Sequence, residues 1–502
     1  MKEVTRRFIE QAAQRRWVAA IDDGGTWHSN EVLDAARELA EAVGVFGLVR
    51  PTLLVQSENT HRMVVLALAA GLLDAALALA SPHLTAGDVA DVIDDVRPDL
   101  VIGDPEQLGR WGIKTPAAGR PVLDHWVVLK HNGPLQVHAA ADDRWNGGVL
   151  LGMTSGSTGR SKAVVHSESA LQYAVRQEIA VVGLQPGDAI GVIVPLSAAP
   201  AFTFGIYASL ELQSAALLSG EWEPAAALRQ LAEHQARWLM CVPTQVLQLA
   251  AASSGAVPPL AGMKAMTVGG GPMDTATLQE TEKALGVPVL RVFGMAECLG
   301  HTSPALDDPP AIRLGRDGRP FPGTDVRALG PDGRQTAVGE PGRAQVRGPS
   351  LFLGYAKSGS VVPPELTDDG FFETGDLVAY APDGTIKVAG RIKEVIIRGG
   401  RNISVAEIES ALRHIGCVAE ACVVPVPDPV LGERVAVLVV PHTAMPTLED
   451  LCRELGNQGL SKIKWPEFIV EVAELPHTHV GKLSRVRARE IATQRLQVEV
   501  KG

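Results

Sequence analysis

The chain has 502 residues, long for one hydrophobic core, so two or more domains are expected. It is 46% hydrophobic, 21% charged and 4% aromatic, a globular balance with too few aromatic residues for base-stacking platforms. Against 46 Lys and Arg stand 57 Asp and Glu, and the net charge of −11 disfavours nucleic acid and anionic membranes as partners.

Residues 1–16 are charged and helical in pattern, without the apolar stretch of a signal peptide. Helix-type periodicity over 30–43 and 60–72 alternates with short apolar runs at 52–56 and 100–103, the pattern of a largely parallel sheet. The apolar run 63–80 is long enough to raise the question of a membrane span. It is alanine-rich, broken by Gly71 and interrupted by Asp74, so it reads as a buried helix leading into a buried strand. A further strand is expected at 148–153. Alternation resumes over 183–293, with strands at 189–194, 238–242, 265–268 and 289–293. Two similar α/β halves would thus make one large N-terminal body. Proline and glycine crowd 304–354, where runs such as 343–347 predict a β-rich subdomain. After Gly390 and Arg391, signals at 394–398, 405–414, 422–426 and 435–440 describe a compact α+β unit. The expected division is a body over 1–390 and a small domain over 391–502. Five cysteines, Cys241, Cys298, Cys417, Cys422 and Cys452, lack CxxC spacing and read as free thiols of a reducing, cytoplasmic compartment.

The strand expected at 148–153 runs into Thr154, Ser155, Gly156, Ser157, Thr158, Gly159, Arg160, Ser161 and Lys162. Glycines let consecutive backbone N–H groups turn inward, and the hydroxyls and cations add donors, so the loop reads as a triphosphate cradle. Taken alone it is equally a flexible Ser/Gly loop. It lacks the Gly-Lys-Ser/Thr ending of a Walker loop, which turns the reading away from kinases and GTPases.

This loop resembles the signature of the adenylate-forming superfamily, which includes acyl- and aryl-CoA ligases, firefly luciferase and the adenylation domains of nonribosomal peptide synthetases. The resemblance continues in order along the chain. Gly269, Gly270, Gly271 and Pro272 match the family's Gly-Gly-Ala-Pro turn, and Phe293, Gly294, Met295, Ala296 and Glu297 its Tyr-Gly-x-Thr-Glu motif. Segments 339–355, 374–376, 390–394, 398–400 and 476–482 follow. Membership implies that the loop and these turns bind ATP and AMP, that the α+β unit is a mobile lid, and that CoA is a co-substrate.

Glu297 is a lone carboxylate of the kind Mg²⁺ takes beside a polyphosphate, or else a solvated surface residue. Phe293 offers a face for adenine, or fills a strand end in the core. Asp376 can accept from both ribose hydroxyls, or cap a turn. The resemblance assigns Arg391 to the same ribose and Lys393 to the hinge on which the lid rotates. It places Arg398, Gly399 and Gly400 along the channel for a pantetheine arm. It gives Lys482 the largest catalytic part, with its ammonium meeting the acyl carboxylate and the α-phosphate, where negative charge builds. By itself, Lys482 would read as a surface lysine.

The sequence departs from the family pattern at Ala296, where a Thr is usual, and at Phe293, where a Tyr is usual. The first change removes one α-phosphate donor; the second leaves stacking possible. Ser197, Ala198, Phe202, Phe204, Val242 and Gly270 fall where the acyl pocket is expected. Small residues over 197–201 widen it, and no Asp or Glu lies between 189 and 210 to anchor an amino-acid amine. The expected substrate is a small-molecule carboxylic acid that is bulky and apolar: alicyclic, aryl or terpenoid-like. The expected activity is an ATP-dependent acyl-CoA ligase. The alternatives are a stand-alone adenylase that loads an acyl carrier protein and a non-catalytic nucleotide-binding protein. Oligomeric state is left open by the sequence.

Overall fold

The computed structural model describes the chain except for residues 115–119, 131–142, 155–161, 254–259, 261, 272–274, 393–394, 399–400, 429, 443, 478–482 and 500–502. Its architecture is mixed α/β, and it divides into two compact units. The first comprises Met1–Val326, Val346–Phe372 and Asp383–Ile386; the second, Arg327–Gln345, Glu373–Pro382 and Lys387–Gly502. The position expected for the boundary, 390/391, falls inside the strand Ile386–Arg391. Part of the proline- and glycine-rich stretch groups with the second unit because its strands Asp325–Leu329, Gly342–Arg347, Phe372–Tyr380 and Ile386–Arg391 form one sheet.

Two sheets organise the first unit. Thr52–Gln56 pairs in parallel with Ala76–Ala80 on one side and Leu100–Gly103 on the other. Ala76–Ala80 continues in parallel to Gly148–Thr154, which turns back antiparallel on Lys162–Ser167. Strand Gly354–Lys357 then pairs with Lys162–Ser167, helping to make a nine-stranded sheet. The second sheet has seven strands, ordered Val289–Arg291, Ala265–Val268, Trp238–Cys241, Ile190–Val192, Ala216–Leu218, Val18–Asp22 and Gly25–His28. The two halves are therefore not consecutive segments. The N-terminal hairpin joins the later sheet, and 354–362 joins the earlier one, because edge pairing is a long-range contact that local pattern does not encode. The single strand expected at 289–293 also divides: Phe293–Met295 leaves for a three-stranded sheet with Cys298–Ser303 and Arg319–Pro320.

The largest apolar core draws on both sheets and on the helices Glu168–Val182 and Arg62–Leu73. Arg62–Leu73 is buried continuously from Met63 to Gly71, as an alanine- and leucine-rich helix with no polar stripe must be. It ends at Asp74 in the left-handed region, φ 53°, where Lys2 Nζ at 2.7 Å and Arg50 Nε at 3.1 Å hold the carboxylate. The carboxylate that counts against a membrane span is thus the turn residue between helix and strand. Among the described residues, no helix is long and apolar enough to cross a membrane.

In the second unit the hairpin Val418–Asp428 and Gly432–Pro441 carries helices Val405–Leu412 and Leu448–Asn457 on one core and helix Arg485–Glu499 on another. Arg485 Nη2 lies 2.7 Å from the buried Glu409 carboxylate, which also accepts from Val423 N at 2.8 Å. None of the five cysteines forms a disulfide.

Candidate active site

Strand Gly148–Thr154 is apolar and buried until its last residue, so it fixes the point from which the glycine-rich loop leaves the sheet. Thr154 is in register with Lys162, and its hydroxyl donates to Lys162 O at 3.2 Å, closing the hairpin at its root. Ser155, Gly156, Ser157, Thr158 and Gly159 lie outside the described residues. Lys162 extends into solvent with Nζ 5.0 Å from the centroid of the Tyr355 ring.

Tyr355 connects this hairpin to the Phe293–Glu297 motif. Its hydroxyl donates to Glu297 Oε1 at 2.8 Å, and Phe352 N donates to Glu297 O at 2.8 Å. Burial first, then the charge and hydrogen bond of Glu297, raise the Tyr355 phenol above its ordinary range, so it remains a donor. Ala296 is held from another side: His166 Nε2 lies 2.7 Å from its carbonyl oxygen. Phe293 is buried, with the His301 ring against it edge to face at a centroid distance of 4.4 Å. His301 donates through Nδ1 to Cys298 O at 3.2 Å. Burial, outweighing these bonds, lowers both imidazoles to about 4, so both rings are neutral near pH 7. His166 Nδ1, His301 Nε2 and Ser197 Oγ are buried without a hydrogen-bond partner among the described residues. The Cys298 thiol is pushed up to about 12, chiefly by burial, which leaves it unsuited to nucleophilic work.

Gly269 follows strand Ala265–Val268, and a Cβ there would stand 2.7 Å from Val292 Cγ2. Gly270 has φ +82°, which favours glycine, and a Cβ on Gly271 would stand 3.2 Å from Pro243 Cγ. Pro272 lies outside the described residues. Among the residues expected to border the acid, Phe202 is wholly buried in the core and Val242 is half-buried before helix Pro243–Ala252. Phe204 lies on the π-helical turn Thr203–Tyr207, 6.4 Å from the Trp238 ring, and its Cζ would be 3.0 Å from a Cβ on Gly300. Ser197 and Ala198 precede the short helix Ala199–Phe202, which leads into that turn. Gly152 meets its first residue so closely that a Cβ would stand 2.7 Å from Ala199 N.

In the second unit, Asp376 is buried and accepts from Arg391 Nε at 3.1 Å, while most of the Arg391 side chain is exposed. The two residues expected to share a ribose are thus neighbours. Arg398 is committed to Glu467, 2.8 Å from Nη2, and to Ile463 O at 3.2 Å. Lys393, Gly399, Gly400 and Lys482 lie outside the described residues. Tyr355, as a partner of Glu297, and His166 are marked in the sequence only by the end of a matched segment and by an alternate position in a strand.

The residues present fit Mg²⁺. Glu297 is half-buried, Tyr355 occupies one oxygen, and the other carries no hydrogen bond among the described residues. Mg²⁺ binds through one or two carboxylates together with phosphate oxygens, and no group of three or more His, Cys, Asp or Glu among the described residues offers an all-protein cage.

The two-sheet body, the glycine-rich hairpin, the tyrosine-held Glu297 turn and the smaller α+β unit together define the adenylate-forming class. The chain belongs to the AMP-binding enzyme family: the family's model matches residues 8–356 and that of the AMP-binding enzyme C-terminal domain matches 407–482. It is 32% identical over 353 residues to the 2-hydroxy-7-methoxy-5-methyl-1-naphthoate–CoA ligase of Streptomyces carzinostaticus, covering 68% of this chain and 62% of that one. It is 30% identical over 350 residues to the 2,3-dihydroxybenzoate-AMP ligase of Bacillus subtilis strain 168, covering 69% and 65%. The chain thus spans less than two thirds of the length of these relatives. In three dimensions it resembles ATP-bound MatB from Rhodopseudomonas palustris, with a TM-score of 0.82 at 24% identity over 98% of this chain and 99% of that one, a likeness of fold.

Proposed function

We propose that the protein is an ATP-dependent acyl-CoA ligase for a bulky apolar acid, with aryl acids foremost. The observation that carries the reading is Glu297, oriented by Tyr355, whose ring also receives Lys162 from the root of the glycine-rich loop. A carboxylate and a cation brought together through one phenol suit a metal-bound polyphosphate.

In the first step an oxygen of the substrate carboxylate attacks the α-phosphorus of ATP. The bond to the bridging oxygen breaks, pyrophosphate leaves, and acyl-AMP forms. Glu297 would hold Mg²⁺, which neutralises charge on the phosphates. The loop from Thr154 to Lys162 would cradle the leaving pyrophosphate, with Gly269, Gly270 and Gly271 lining the nucleotide side. Phe293 would pack against adenine. Asp376 and Arg391 would take the ribose, and Lys482 would meet the reacting oxygens. In the second step the thiol of CoA loses its proton to solvent as sulfur attacks the acyl carbon, and AMP departs. No protein nucleophile is required, in keeping with the inert Cys298.

The ring of Phe204, edge to face with Trp238 and next to Gly300, together with the naphthoate- and dihydroxybenzoate-activating relatives, supports an aryl substrate. Five cysteines outside any disulfide suit a reducing cytoplasm. The test is acid-dependent ATP–pyrophosphate exchange across aryl, alicyclic and short-chain acids, followed by thioester formation with free CoA or with a carrier protein. Aryl acids should support the fastest exchange, and CoA should accept the acyl group. Acetate as the best substrate would refute the pocket reading, preference for a carrier would reassign the acceptor, and no exchange with any acid would leave a nucleotide-binding protein.

A further inference from the structure

We propose that His166 is a positioning residue for adenylation, its imidazole holding the Ala296 carbonyl and so fixing the Ala296–Glu297 turn against the strand that carries Lys162. The inference rests on the adenylation reading above and concerns a residue that contacts no reacting atom in it.

The geometry has three parts. A carbonyl only accepts, so the 2.7 Å contact makes Nε2 the protonated nitrogen and leaves Nδ1 bare. The ring is fully buried, and Nδ1 has no partner among the described residues. Burying an unpaired polar atom is costly, and an aliphatic side chain in this apolar layer would avoid that cost. What the imidazole adds in exchange is a fixed donor aimed at one carbonyl.

Residues two apart share a face of a strand, so Lys162, Val164 and His166 project together from Lys162–Ser167. Lys162 reaches the Tyr355 ring, Val164 is the register partner of Tyr355, and His166 reaches Ala296. Tyr355 and Phe352 then hold Glu297 by side chain and backbone. One strand thereby joins the root of the phosphate loop to both residues of the turn. Ala296 has no side-chain oxygen with which to fix its own place, so the grip on its carbonyl stands in for anchoring that a hydroxyl could supply. Loss of that grip would free the turn on its Ala296 side while Glu297 stayed tethered. A displacement of about 1 Å in a reacting geometry can slow a step by about a hundredfold.

The test compares His166→Leu and His166→Gln in the full chain, measuring acid-dependent ATP–pyrophosphate exchange, thioester formation from supplied acyl-AMP, and thermal midpoint. His166→Leu should lower kcat for exchange by about 10- to 100-fold, leaving KM for the acid and the rate from supplied acyl-AMP within about threefold. His166→Gln, whose amide can place an N–H near the Nε2 position, should restore most of the loss. A merely structural histidine would instead lower both half-reactions along with the midpoint, and Gln would give no selective rescue; either result overturns the proposal, as does exchange unchanged in His166→Leu. Should the Leu variant fail to fold, His166→Asn takes its place, since its shorter amide cannot reach the Nε2 position, and Gln must still exceed it. Absence of exchange in the wild type would defeat the adenylation reading itself, whereas wild-type exchange matched by the Leu variant defeats the role of His166 alone.

Discussion

Glu178 lies on the buried face of helix Glu168–Val182, among Leu171, Ala174, Val175 and Val182, and neither carboxylate oxygen finds a partner among the described residues. Burial raises its pKa to about 8 from an ordinary 4.5. Between those values the folded chain keeps a proton that the unfolded chain releases. Stability from this group is therefore fully present below pH 4.5 and is lost as pH rises through 8. Glu178→Gln should gain stability relative to the wild type as pH rises from 5 to 8, by up to about 1.4 kcal/mol per pH unit. Denaturant midpoints at four pH values would show this, and a constant difference would mean that Glu178 is ionised in the fold. Helical spacing in the sequence places Glu178 on the apolar face; that no partner meets it there is a tertiary fact.

At the scale of elements, strand Gly148–Thr154 sits against the start of the helical segment that carries Phe202 and Phe204. Contact at Gly152 leaves no room for a side chain, since a Cβ would meet both the backbone and the methyl group of Ala199. Gly152→Ala should push the two apart, lowering stability by about 1–3 kcal/mol and raising KM for the acid more than KM for ATP. Calorimetry with steady-state kinetics would check both, and equal effects on the two substrates would separate this contact from the acyl pocket. The strands Thr52–Gln56, Leu100–Gly103 and Ala265–Val268 were legible to the residue, being short apolar runs bounded by turn formers. The run 289–293, expected as one strand, was not legible: apart from Arg291 its residues are apolar, and nothing local marks the point where Phe293 leaves one sheet for another.

For the whole molecule, Glu297 and the loop root belong to the first unit, and the Asp376–Arg391 pair to the second. If Lys482 acts only while phosphorus is being transferred, Lys482→Ala should nearly abolish acid-dependent pyrophosphate exchange and spare thioester formation from supplied acyl-AMP. Parallel loss in both half-reactions would remove that role.

By itself the sequence determined the class of the fold, the two-part organisation and the ordered motifs, because each motif is a run of neighbours whose glycines, hydroxyls and charges act through their own backbone. Only the tertiary structure decided what holds those motifs in place. Tyr355 reaches Glu297 across 58 residues and His166 reaches Ala296 across 130. Both contacts join the nine-stranded sheet to the turn of the separate three-stranded one, and the packing of one sheet against another depends on the whole fold rather than on any local pattern.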